Sequence, residues 1–248
     1  EQHIANAAGA IVRADALVDA AFLARAPRLR VLARTGVGVD HVDLQAATAR
    51  GIPVVITPGS GTRAVAEGVF ALALHLVKRL HPFTDLVRHG RWAERSQIVM
   101  GDLDGATIGI VGYGRIGQRV GELARAFGMN VLTYDPFSAP PPEIASADLS
   151  VLASASDVVT LHVPLTEVTR HLVDNAFLDR VRPGTILINC GRGGLVDLDA
   201  AFTGEPRNLS HVARICAAVK VPCELGGGLR TLEKITAAFG AGVQRVIL

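Results

Sequence analysis

A short apolar run, Thr107-Ile108-Gly109-Ile110-Val111, leads directly into Gly112-Tyr113-Gly114-Arg115-Ile116-Gly117. Ile116, Val120, Leu123, Ala124 and Phe127 follow at helical spacing, and a second strand-like run, Val131-Leu132-Thr133-Tyr134, ends on Asp135. Strand, glycine turn, amphipathic helix and strand make a βαβ unit, which implies a parallel sheet. The first glycine, Gly112, allows a tight turn; Gly114 lets the backbone approach a pyrophosphate; Gly117 lets the helix pack closely on the strand. The helix N-terminus offers free N–H groups and a positive dipole end to phosphates. Asp135 stands 23 residues after Gly112. A carboxylate there accepts hydrogen bonds from adenosine ribose hydroxyls and repels a 2′-phosphate, so the expected cofactor is NAD rather than NADP.

The same alternation runs through most of the chain. Strands are expected at 10–13, 29–33, 53–56, 158–163 and 185–189, with helices at 14–26, 44–50 and 64–80. A loop near Gly101 marks a boundary between residues 1–100 and 101–197. Later, Leu209, Val212, Ile215, Cys216 and Val219 form a helix face, 221–225 reads as a strand before Gly226-Gly227-Gly228, and Leu232, Ile235 and Phe239 mark another helix before a strand at 243–248. The start reads as mid-helix and the end as an uncapped strand, so truncation at both is expected.

Composition narrows the partners. With 49% hydrophobic and 19% charged residues over 248 positions, the chain has ample material for a core. A formal charge of +2, spread along the chain, gives no footprint for nucleic acid or a membrane surface. No run reaches the roughly 18 apolar residues that span a bilayer, and the first residues carry no leader, which makes cytoplasm the default. Cys190, Cys216 and Cys223 lack metal-ligand spacing and sit in apolar runs, so buried free thiols and no metal are expected.

Several further motifs lie around the glycine turn: Thr35-Gly36-Val37-Gly38-Val39-Asp40, Ala64-Val65-Ala66-Glu67, Gly90-Arg91-Trp92, Tyr134-Asp135-Pro136, His162-Val163-Pro164-Leu165-Thr166 and Asn189-Cys190-Gly191-Arg192-Gly193-Gly194. Together they resemble the D-2-hydroxyacid dehydrogenases over about residues 10–197. The resemblance implies a Rossmann doubly wound parallel sheet, a flavodoxin-like substrate domain (here truncated), and hydride transfer between NAD and a 2-hydroxy or 2-oxo acid, in a homodimer. It implies that Val37 and Gly38 offer backbone N–H groups to the substrate carboxylate. Arg115 and Ile116 would meet the pyrophosphate, Val163 would touch the cofactor through its backbone, and Cys190 would lie near the nicotinamide ribose. Arg192 would clamp the carboxylate and 2-oxo group, a task suited to a planar bidentate guanidinium.

The family also uses a histidine as general acid/base and a glutamate that tunes it, both C-terminal to the arginine. No Thr-Pro-His turn follows Arg192. His211 is the only histidine beyond it and reads as a solvated helix residue, while Glu224 ends a strand in a roughly comparable zone. Hydride transfer is therefore expected to be weak or absent.

From Val196 onward a second resemblance takes over. Val196-Asp197-Leu198-Asp199-Ala200-Ala201-Phe202, Glu224-Leu225-Gly226-Gly227-Gly228-Leu229-Arg230 and Ala241-Gly242-Val243-Gln244-Arg245-Val246-Ile247-Leu248 resemble the phosphoribosylformimino-aminoimidazole carboxamide ribotide isomerase of histidine biosynthesis, a (β/α)8 barrel. Leu195-Val196-Asp197 suits both families, and the expectation is a recombined or engineered chimera joined there. A barrel fragment cannot close on itself, so 198–248 is expected to extend the Rossmann sheet or pair with another subunit. A fold chimera without catalysis is the alternative reading, and a phosphosugar isomerase a third.

Overall fold

The computed structural model describes residues 4–13, 16–146, 148–197, 224–226 and 245–247. The chain divides by packing into Glu1–Arg63 and Ala64–Leu248.

The first unit is a three-stranded parallel sheet in the order β1 (Gly9–Val12), β2 (Val31–Arg34), β3 (Val54–Val55). Two short helices, α1 (Ala20–Ala24) and α2 (Leu44–Ala49), are each opened by an aspartate cap. Asp19 accepts the Phe22 N–H and Asp43 the Ala46 N–H, each worth about 1 kcal/mol. Val12, Leu23, Leu32, Ala47 and Ile52 bury one face of this sheet, whereas Ile11 and Val55 are exposed. The helix expected over 14–26 is shorter because residues before it serve other ends. Val18 is bridged in parallel to Val42, and Asp19 is committed to the cap.

The second unit starts with α3 (Thr62–Val77), whose Ala66, Val69, Phe70 and Ala73 are buried. At Arg79 the backbone turns left-handed, with φ of 53°, and α4 (Leu80–Arg88) follows, an element beyond the helix expected over 64–80. Next come β4 (Thr107–Val111), α5 (Arg115–Ala126), β5 (Asn130–Tyr134), α6 (Leu149–Ala155), β6 (Val158–Leu161), α7 (Asn175–Leu178) and β7 (Ile186–Asn189). The four strands are parallel in the order β5-β4-β6-β7.

Both faces of this sheet are covered, as a parallel sheet requires. Ile108, Ile110, Val158, Ile186 and Ile188 pack with α3 and α5, and Val111, Val159 and Leu161 pack with α6 and α7. Gly109 lies directly under α6: a Cβ there would sit 2.5 Å from a Leu152 methyl. From β4 the chain moves to β5 on one side and later to β6 and β7 on the other. That reversal opens a crevice at the carboxyl ends of β4 and β6, the place where such sheets bind ligands.

The doubly wound parallel architecture matches the expectation from sequence. The sheet extension does not. β8 (Glu224–Gly226) pairs in parallel with β9 (Arg245–Ile247), and among the described residues neither strand joins the four-stranded sheet. Successive strands of one segment close the shorter loop when they pair with each other, at a smaller entropy cost than reaching back to β7. The helix faces expected at 209–219 and 232–239 lie outside the described residues. No helix among those described is long and apolar enough to cross a membrane.

Candidate functional site

The glycine turn occupies the crevice. Gly112 adopts φ of 95°, a region open to glycine, and its N–H donates to the Tyr134 carbonyl at 2.8 Å. A Cβ on Gly112 would lie 2.8 Å from the backbone of His162 and Val163, and one on Gly117 would lie 2.1 Å from the Gly112 carbonyl oxygen. These two glycines let β4, β6 and α5 meet. Gly114 differs, because a Cβ there would meet nothing within 4 Å. It is the N-cap of α5 and makes no side-chain cap, so the first N–H groups of that helix have no acceptor from the cap. The turn is thus closed toward the protein and open above Gly114, which is the shape a pyrophosphate needs. The residues present fit a dinucleotide.

Around it, Arg115 is exposed, Ile116 half-buried and Val163 buried. The Asp135 carboxylate accepts the Tyr113 N–H through Oδ2 at 2.8 Å, and the Phe137 and Ser138 N–H groups through Oδ1 at 2.8 and 3.2 Å. It therefore ties the glycine turn to the loop after β5, a role that the motif alone does not assign. That loop, with Tyr134 and Ser146, lines an open cavity of about 420 Å³ beside the carboxylate.

Two groups close the crevice beside β6 and β7. His162 is largely buried, its Nε2 3.0 Å from the Thr160 hydroxyl, and burial pushes its pKa down to about 4. The imidazole is neutral at neutral pH. In the sequence His162 stands only as part of a motif; its spacing of two from Thr160 on a strand was the available signal. Cys190 is half-buried rather than fully buried, and burial pushes its thiol pKa up. Cys216 and Cys223 lie outside the described residues, as does His211.

Arg192 follows β7, half-buried, in extended backbone before the 3-10 turn Gly193–Leu195. In the first unit, Val37 and Gly38 lie in the turn after β2, with Val37 exposed. Among the described residues neither of their N–H groups donates a hydrogen bond. The buried Arg34 braces this turn, donating Nε to the Gly38 carbonyl and Nη1 to the Arg13 carbonyl. An arginine ending an apolar strand was the only sequence signal for it. No cluster of metal-ligating side chains occurs among the described residues.

Known proteins resemble this chain in sequence and fold. The family described as D-isomer specific 2-hydroxyacid dehydrogenase, NAD binding domain, matches residues 70–203. A histidine biosynthesis protein family matches part of the chain, residues 193–248. A D-3-phosphoglycerate dehydrogenase of Methanocaldococcus jannaschii is 38% identical over 77% of this chain, and the chain spans 37% of that relative's length. The TT0316 protein of Thermus thermophilus superposes with a TM-score of 0.82 at 34% identity, over 99% of this chain and 76% of that one. A D-lactate dehydrogenase from Aquifex aeolicus, solved with NAD and lactic acid, superposes with a TM-score of 0.79 at 28% identity, over 99% and 77%.

Proposed function

The chain belongs to the D-isomer specific 2-hydroxyacid dehydrogenases by its NAD-binding domain, and from that premise we propose that it binds NAD together with a small 2-hydroxy or 2-oxo acid. The observation that carries this reading is the turn at Gly112 to Gly117, packed on two glycines and open above the third. In it, the N–H groups that begin α5 hold the pyrophosphate with Arg115 and Ile116, and Asp135 takes the adenosine ribose hydroxyls. Val163 and Cys190 flank the nicotinamide end. Bound NAD supplies the hydride acceptor for a 2-hydroxy acid. Arg192 binds the acid's carboxylate and 2-oxo oxygen through its paired N–H groups. In the first unit, the Val37 and Gly38 N–H groups are donors suited to a carboxylate.

Proton transfer is the weak point. Reduction of a 2-oxo acid requires a proton delivered to oxygen, and no Thr-Pro-His turn follows Arg192. His162 is neutral at neutral pH because of its burial, which makes it a poor acid. We take residues 1–100 as a substrate-binding region, 101–197 as the NAD domain and 198–248 as a segment of barrel ancestry, in a cytoplasmic protein with little or no turnover from the residues present. Exposed Leu80, Val87, Trp92 and Met100 support a homodimer.

The partial histidine-biosynthesis match over 193–248 favours a second reading, a recombined chain that binds NAD without catalysis. Assay of NADH oxidation with a panel of 2-oxo acids separates the two. Turnover well above background supports a working dehydrogenase and overturns the view that its proton donor is missing, whereas NADH binding without oxidation supports the chimera.

A further inference from the structure

Arg192 projects from a turn that is fixed at both ends. Upstream, the Asn189 side chain spans it: Oδ1 accepts the Gly191 N–H at 2.9 Å and Nδ2 donates to the Arg192 carbonyl, also at 2.9 Å. Downstream, residues 171–173 run beside 194–197. The His171 N–H donates to the Gly194 carbonyl at 2.8 Å, the Val173 N–H to the Leu195 carbonyl at 2.9 Å, and the Asp197 N–H to the Val173 carbonyl at 3.0 Å. Gly194 lies against Leu165, where a Cβ would come within 3.1 Å of a methyl.

The stay depends on an unusual residue. His171 has φ of 55°, the left-handed region that a non-glycine residue seldom adopts. Its Nδ1 lies 3.5 Å from Asp197 Oδ1, and both side chains are about three-quarters buried. That contact joins the residue that bends the 164–173 loop to the residue that ends the Arg192 turn. Strained backbone persists where the surroundings over-determine it, and such positions gather at functional sites.

We infer that His171, with Asp197, and Asn189 are positioning residues for Arg192, presetting its guanidinium for a planar carboxylate-bearing ligand. None of the three touches the ligand. Each acts by fixing the backbone on both sides of the arginine, and a displacement of about 1 Å at such a group can cost roughly a hundredfold. The inference rests on the reading of Arg192 as the substrate clamp.

Two measurements on the full chain keep that reading and this inference apart. The first is the affinity of oxalate, a planar dicarboxylate, for the NADH-loaded protein, followed by NADH fluorescence. His171→Val introduces a β-branched residue that resists the left-handed backbone, and it is expected to weaken oxalate about tenfold or more while NADH affinity stays within about twofold. His171→Asn, which tolerates that backbone, is expected to restore most of the loss. Asp197→Asn and Asn189→Ala serve as milder variants should His171→Val fail to fold. The second measurement is amide hydrogen exchange at Leu195 and Asp197, expected to accelerate in the variants while β4 and β5 are unchanged. Equal oxalate affinity or unchanged exchange in the variants overturns the inference. Absence of oxalate binding to the wild-type chain, with exchange altered as expected, overturns the substrate role of Arg192 and supports the stay.

Discussion

The Asp135 carboxylate accepts the Tyr113 backbone N–H at 2.8 Å, linking the end of β5 to the middle of the glycine turn. With Phe137 and Ser138 bound to its other oxygen, this side chain sets two loops at once. Asp135→Ala should therefore cost about 1–3 kcal/mol of stability in denaturant unfolding, through backbone donors left unmatched. It should also weaken NAD and narrow its advantage over NADP. Asp135→Asn keeps one acceptor oxygen, so it should regain part of the stability without regaining the discrimination. Equal NAD and NADP affinities in the wild-type chain would contradict the ribose assignment.

Gly117 and Gly114 make a matched pair of tests. A methyl on Gly117 would fall 2.1 Å from the Gly112 carbonyl oxygen, so Gly117→Ala must push α5 off the turn. Overpacking of this kind costs about 1–3 kcal/mol, and a clash with rigid backbone belongs at the upper end. A methyl on Gly114 meets open space, so Gly114→Ala should leave the melting temperature almost unchanged yet weaken NAD. Thermal melts and NAD titrations on both variants check the contrast; equal destabilisation by the two would contradict it.

His162 gives a pH dependence with a definite sign. In the unfolded chain it takes up a proton near its ordinary value of 6.5, but burial lowers that value to about 4 in the folded protein. Between these values the unfolded state binds more protons, so stability is fully present above pH 6.5 and is lost as pH falls toward 4. The full effect is about 3 kcal/mol. Urea unfolding across this window should show the slope, and His162→Gln should flatten it. A slope that survives in His162→Gln would assign the titration elsewhere.

Legibility in the sequence followed how local each cause was. The βαβ unit was readable because its signal is short: an apolar run, three glycines at fixed offsets, a helical apolar face and one carboxylate. β4 spans Thr107–Val111, as expected from its run of residues. The Arg79 break between α3 and α4 was not readable, since an arginine gives no warning of a left-handed backbone. Nor was α6, a seven-residue helix capped by Asp148 whose apolar side is used against Gly109. The pairing of β8 with β9 escaped because two parallel strands carry no mark of which neighbour they take. At the site, the cofactor turn was visible in the motif. Arg34, the His162–Thr160 contact and the His171–Asp197 contact were hidden, because each depends on side chains brought together by packing.

Calorimetric titration of the full chain with NAD is the most direct test of the account. Saturable binding with one site per chain is expected, abolished or strongly weakened in Gly114→Ala and in Asp135→Ala. Absence of heat or saturation with millimolar NAD, on a chain shown to be folded, would contradict the central claim that the Gly112 to Gly117 turn is a dinucleotide site.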